Sequence, residues 1–179
     1  MYSIAVSGKC STGKTTLCEN ISNIIHWKHI DIGSEFKRLS KEYNLTIEKF
    51  GSLPDAILRS IDDRLKERMN KEYEIIWDSR LSCYLAKDNP NIFKVYCYVD
   101  LKTRINRTMQ RDNISFDEAN IKINLRDKEE LNVFRRLYNL DNFYSKKWIN
   151  YKIDASKDDP ITLAKKVIEN FNNYKKINL

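Results

Sequence analysis

An apolar run, Ile4-Ala5-Val6, leads into Gly8-Lys9-Cys10-Ser11-Thr12-Gly13-Lys14-Thr15, and Leu17, Ile21, Ile24 and Ile25 follow at helical spacing. The octet fits G-x-x-x-x-G-K-S/T. In that pattern glycines let the backbone curl so that successive N–H groups point inward at an anion, at the positive end of the following helix. The flanking strand and helix are the context the pattern requires. Read this way, Gly8, Lys9, Cys10, Ser11, Thr12, Gly13, Lys14, Thr15 and Thr16 are the candidate cradle for the phosphates of ATP. Lys14 would reach the β- and γ-phosphates, and the Thr15 hydroxyl would ligate Mg2+.

Apolar segments of strand and helix character alternate along the rest of the chain, which argues for a parallel sheet with helices on both faces. Strands are predicted near Tyr2 to Ser7, Lys28 to Asp31, Tyr73 to Asp78, Ile92 to Val99 and Trp148 to Ile153. Helix starts are signalled by Ser52-Leu53-Pro54-Asp55, by Asp100, by Ser115-Phe116-Asp117-Glu118 and by Asp159-Pro160, each offering an oxygen to unpaired amides. Between Asp55 and Met69, Ile57, Leu58, Ile61, Leu65 and Met69 make one apolar face, with Arg59, Asp62, Asp63 and Arg64 expected largely off it. The expected fold class is α/β: a three-layer P-loop NTPase fold with a five-stranded parallel sheet. Residues 1–179 form one domain, with helical insertions at about 33–72 for an acceptor and about 113–138 as a lid.

A chain of 179 residues with 41% hydrophobic and 11% aromatic residues is long and apolar enough to bury one core, and no apolar run approaches a membrane span. The start Met1-Tyr2-Ser3 has none of the features of a secretion signal, so the expectation is a cytoplasmic protein, a monomer with no membrane partner. Cys10, Cys18, Cys83 and Cys97 form no C-x-x-C pair and imply neither disulfide nor zinc. Cys10 reads as a filler in the loop, open to an alkylating reagent. His26 and His29 read as a solvated turn rather than a metal site. The formal charge of +7 admits a nucleic-acid surface or a pocket for several phosphates. Arginines concentrate between Arg104 and Arg136 among acidic residues, without interleaved aromatics, which favours the pocket and excludes nucleic acid as the expected partner.

Ligands of an open parallel sheet sit beyond the carboxyl ends of its strands. That rule brings Gly8, Asp31, Asp78-Ser79-Arg80 and Asp154-Ala155-Ser156-Lys157 to one crevice. In their order these residues, with Asp31-Ile32-Gly33-Ser34-Glu35-Phe36-Lys37-Arg38-Leu39, the run Arg104, Arg107, Arg111, then Arg126 and Asp127, and Leu137-Tyr138-Asn139-Leu140-Asp141, resemble the cytidylate kinase family in its short archaeal-type form. The resemblance runs nearly end to end. It implies ATP-dependent phosphorylation of a nucleoside monophosphate, most often CMP or dCMP, or a modified cytidylate. It places Arg107, Arg111 and Arg126 with Lys14 on the transferring group, and Ala155, Ser156 and Lys157 against the adenine. It also places Asp31, Lys37, Arg38, Asp78, Arg80 and Asp127 around the acceptor, with Asp78 able to hold the metal through water.

Two departures stand out. Phe36-Lys37-Arg38 replaces an aromatic followed directly by arginine, and lysine has no bidentate fork. Asp78-Ser79-Arg80 replaces Glu-Gly-Arg, which adds a side chain near the acceptor. Two other readings remain open from the residues. Asp31 or Asp78 could serve as base for a small-molecule hydroxyl acceptor. A non-catalytic NTP-binding switch would need guanine-reading and switch motifs, and neither appears at suitable spacing.

Overall fold

A computed structural model describes residues 1–44, 46, 51–142 and 144–178, apart from the side chains of residues 35–37, 39 and 40. Lys37, a candidate acceptor ligand, therefore has its side chain outside the described residues. The order is β1 (Ser3–Ser7), α1 (Lys14–Ile25), β2 (Lys28–Asp31), α2 (Ile32–Glu42), α3 (Asp55–Lys71), β3 (Ile75–Asp78), α4 (Ser82–Leu85), β4 (Ile92–Tyr98), α5 (Leu101–Asp112), α6 (Phe116–Tyr138), β5 (Tyr151–Asp154) and α7 (Pro160–Ile177). The five strands pair in the order β2-β3-β1-β4-β5, and every pairing is parallel.

Because strand side chains alternate, each strand feeds two cores. Ile4, Val6 and Ile76 face α1 and α7 through Leu17, Ile21, Val167 and Phe171, while Ala5, Ile75 and Trp77 face α3 and α6 through Leu58, Leu65, Phe134 and Leu137. Three layers follow, as the alternating pattern predicts. Parallel pairing then sends Ser7, Asp31, Asp78 and Tyr98 to the same edge of the sheet.

Local details depart from the sequence expectations for identifiable reasons. Glu74 adopts a left-handed conformation at φ 57°, so β3 starts two residues later than Tyr73. Trp148 packs edge-on against Tyr84 at 5.5 Å instead of entering β5, which begins at Tyr151. Asp100, Ser115 and Asp159 do cap α5, α6 and α7, Ser115 with a reciprocal capping box to Glu118. The Ser52–Asp55 signal does not act as a cap: Pro54 holds that position with no side-chain bond. Asp62 lies on the buried face of α3, at 6% exposure, and not off it.

Two contacts fix the loop after β1. A Cβ on Gly8 would lie 2.4 Å from the Cys97 carbonyl oxygen, so only glycine lets the loop sit this close to β4. Beneath the loop, Arg104 is buried, and its Nε donates to the Cys10 carbonyl at 2.8 Å. Its other nitrogens grip both Asp127 oxygens, at 2.9 and 2.7 Å. Lys9 reaches the same carboxylate at 3.1 Å. Asp127, expected around the acceptor, instead faces the underside of the loop, where a buried guanidinium requires an anion.

Gly8→Ala is expected to destabilise the fold by about 1–3 kcal/mol, the usual range for forcing atoms into a packed site, measured by urea denaturation. Asp127→Ala strands Arg104 without its counter-ion and is expected to cost about 3 kcal/mol in the same measurement. A stability close to wild type, with only the acceptor KM raised, would return Asp127 to the acceptor site.

Candidate active site

The phosphate loop opens onto a cleft of about 150 Å³ at the carboxyl edge of the sheet. Gly13 takes φ 84° and Ser11 φ 59°, the left-handed conformations that turn successive amides to one side. No side chain caps α1, whose first amides are left facing the loop's concavity. Two hydroxyls stiffen the loop from outside: Thr12 donates to the Lys9 carbonyl at 2.9 Å, and Ser11 bonds Thr108 at 2.7 Å. Lys14 lines the cleft. Burial overturns the picture of Cys10 as reagent-accessible: the residue is 8% exposed, and desolvation pushes its thiol up to about 11.

At the ends of β1, β2 and β3 the polar groups converge. Thr15 Oγ1 donates to Asp78 Oδ2 at 2.7 Å, and His29 Nε2 lies 3.4 Å from the same oxygen. Burial pushes the Asp78 carboxyl up, but the His29 contact, the Thr15 hydrogen bond and the Lys14 charge outweigh it and hold the pKa below its usual value. Asp78 is thus an anion beside the phosphate site. The Thr15 hydroxyl and Asp78 carboxylate are hard oxygens, a donor set that fits Mg2+ with its retained waters.

His29 is not a solvated turn. It sits in β2 half-buried, and its contact with Asp78 raises its pKa. With Cys18, these two residues bring a sulfur, a nitrogen and an oxygen within 4.8 Å of one another. Complete burial raises the Cys18 thiol well above its ordinary pKa, so the group does not offer the thiolate that a soft metal demands. Sequence spacing could not show this cluster, because its members come from α1, β2 and β3.

The expected arginines divide by position. Arg80, Arg111 and Arg126 line the cleft. Arg80 pairs with Glu130, and Arg126 reaches the same carboxylate at 3.1 Å. Glu130 is wholly buried, and desolvation pushes its pKa up to about 7 against the pull of Arg126. Its role was not visible in the sequence, where Glu129 and Glu130 look like one solvated acidic pair. Arg111 is held by Asp112 at 2.7 Å and stays exposed. Arg107 does not line the cleft: it spans from the Thr12 carbonyl at 3.0 Å to the Ala155 carbonyl at 2.7 Å, tying the phosphate loop to the loop after β5. In that second loop Ser156 bonds Asp154, and Lys157 is exposed.

Around the acceptor side, Asp31 accepts from the Gly33 amide at 2.8 Å and from Ser34, at the start of α2. Arg38 pairs with Glu42 on the exposed side of α2, away from the cleft lining. Ser79 is buried, and its hydroxyl accepts from the Leu81 amide at 3.3 Å, which shapes the turn that presents Arg80. Leu58, Val133 and Phe134 supply an apolar wall, with Asp62 set into it.

The chain also has recognisable relatives. Residues 3–153 match the model of the cytidylate kinase-like family. A cytidylate kinase of Methanosarcina acetivorans is 32% identical over 142 residues, 77% of this chain and 79% of that protein. One from Thermococcus kodakarensis is 33% identical over 141 residues, covering 77% and 72% respectively. Among solved structures, shikimate kinase from Acinetobacter baumannii superposes with a TM-score of 0.64 at 16% identity, covering 98% of this chain and 95% of that one. At that identity the likeness speaks for the P-loop kinase fold alone. No helix among the described residues is long and apolar enough to cross a membrane. The chain belongs to the cytidylate kinase-like family, and with it to the nucleoside monophosphate kinases.

Proposed function

We propose that the chain transfers the γ-phosphoryl group of ATP to CMP or dCMP, a modified cytidylate being a further candidate acceptor. The observation that carries this reading is the meeting, in one cleft, of Lys14, the Thr15–Asp78 pair and two arginines joined by Glu130, Arg80 after β3 and Arg126 from α6. Phosphoryl transfer asks a protein mainly for position and positive charge around a loosely bonded phosphoryl group. The loop amides and Lys14 hold the donor phosphates. Arg80 grips the acceptor phosphate, while Arg126 and Arg111 neutralise the transferring group. Thr15 and Asp78 are the residues that would hold Mg2+, which when bound supplies charge neutralisation between the phosphates.

A monophosphate oxygen is already anionic near neutral pH, so no general base is needed. A hydroxyl acceptor would need one, and the two candidates are engaged elsewhere: Asp78 by Thr15 and His29, Asp31 by the start of α2. Arg107, bound to two loop carbonyls, aligns the phosphate and base loops for ATP, with Ala155 to Lys157 beside the adenine. We read the segment near 33–72 as the acceptor flap and that near 113–138 as the lid, whose closure excludes water from the γ-phosphoryl. The reading takes the enzyme to be a monomer that acts in the cytoplasm.

Three measurements test the reading. Coupled ADP-release kinetics with CMP, dCMP, UMP, AMP and GMP are expected to rank CMP or dCMP first; a purine monophosphate ranked first would refute the acceptor assignment. Lys14→Ala is expected to lower kcat at least about 100-fold with folding intact, since one preorganised electrostatic contact to the transition state is worth that much. Arg80→Lys is expected to raise the acceptor KM about tenfold while the KM for ATP stays put, because lysine keeps the charge and loses the fork.

A further inference from the structure

Asp62 is an unusual neighbour for an anionic substrate. It projects from the buried face of α3, between Leu58 and Leu65 in sequence, and lines the same cleft as Lys14, Arg80 and Phe134. Its Oδ2 accepts a hydrogen bond of 2.6 Å from the hydroxyl of Tyr138, the last residue of α6. Among the described residues no donor meets Oδ1. Oδ1 is not sealed off but opens to the cleft, so a carboxylate largely desolvated by its apolar neighbours keeps one acceptor free for a ligand there. Burial pushes its pKa up to about 6, which leaves it mostly ionised at neutral pH. The surrounding wall, Leu58, Val133 and Phe134, is apolar and suits the faces of a flat ring rather than a phosphate.

We propose that Asp62 reads the acceptor base, with Oδ1 accepting a hydrogen bond from the exocyclic amine of cytosine while Tyr138 holds Oδ2. This deepens, and rests on, the reading of the acceptor as CMP or dCMP. The chemistry is discriminating. Cytosine presents an N–H donor at the position where uracil presents a carbonyl oxygen, so a carboxylate attracts one and repels the other. Tyr138 does two things here. It orients the carboxylate across the contact between α3 and α6, and it occupies the oxygen that would otherwise draw in water. The two elements that build the base wall belong to the proposed flap and lid, so base recognition and closure would share one hydrogen bond.

The test is the ratio of kcat/KM for CMP to that for UMP at saturating ATP. It is measured for the wild type, Asp62→Asn and Asp62→Leu, with urea denaturation to confirm folding. Asp62→Asn is expected to cut kcat/KM for CMP roughly 10- to 100-fold, the span of a hydrogen bond to a charged group. It should also raise relative use of UMP, since the Tyr138 hydroxyl donates to the amide oxygen and turns the NH2 toward the base. Asp62→Leu replaces the carboxylate with a side chain suited to its apolar surroundings and should fold at least as well. It is expected to bring the CMP to UMP ratio toward one, with the KM for ATP unchanged. A purely structural Asp62 would alter stability and both acceptors alike, so a ratio within threefold of wild type in the folded variants overturns the proposal. A wild-type enzyme that ignores both pyrimidine monophosphates overturns the acceptor reading and this proposal together. One that prefers CMP while the variants keep its ratio overturns only the role of Asp62.

Discussion

The Arg104–Asp127 ion pair sets the geometry on which the rest of the site depends. Arg104 comes from α5 and Asp127 from α6, and the Arg104 guanidinium also donates to the Cys10 carbonyl and, at 3.1 Å, to Cys10 Sγ. Three elements are locked by one charge. A buried guanidinium with five donors tolerates only a well-filled shell, and here the loop backbone fills part of it. The phosphate loop is therefore not a flexible strap waiting for a ligand. It is fixed from below by this ion pair, from beside by the close passage of Gly8 over Cys97, and from the outer side by Arg107.

The same logic explains how a chain of net charge +7 keeps a cationic cleft folded before any phosphate arrives. Arginines and Lys14 clustered around an anion site repel one another in its absence. Buried carboxylates offset this: Asp78 lies near Lys14, Glu130 joins Arg80 to Arg126, and Asp127 serves Arg104 and Lys9. Glu130 and Asp127 lie outside the cleft lining, so Arg80 and Arg126 still face the cleft, while Asp78 lines it beside Lys14. Exposed pairs such as Arg38–Glu42 and Arg135–Asp141 are screened by water and contribute little.

The layers and the phosphate loop were legible because each rests on short-range pattern. Ile4-Ala5-Val6 could only be a buried strand, the caps at Asp100, Ser115 and Asp159 act within three residues of themselves, and Gly13 needs its left-handed turn locally. What escaped were residues whose meaning is set across the fold. His29 looks like part of a turn until β2 pairs with β3 and places it against Asp78. Glu130 and Asp127 are both acidic residues near Arg126 in the sequence, yet α6 turns one toward the cleft arginines and the other beneath the loop. Asp62 appeared polar enough for solvent, and its burial follows only from α6 packing over α3.

That packing also constrains how the cleft can close. α6 carries Arg126 and Glu130 near its middle and Tyr138 at its end, so one rigid helix connects the phosphate end of the cleft to its apolar end. Its attachment to the loop through Asp127 leaves little freedom for translation near Arg126. Movement of α6 as a lid would then be a small tilt about the Arg104–Asp127 pair, since packed helices shift by shear rather than by continuous deformation. A tilt about that point changes the reach of Arg126 slightly and the position of Tyr138 more, because Tyr138 lies eleven residues from Asp127 along the helix, roughly 16 Å at 1.5 Å per residue. The phosphate end of the cleft would stay in register while its apolar end adjusts.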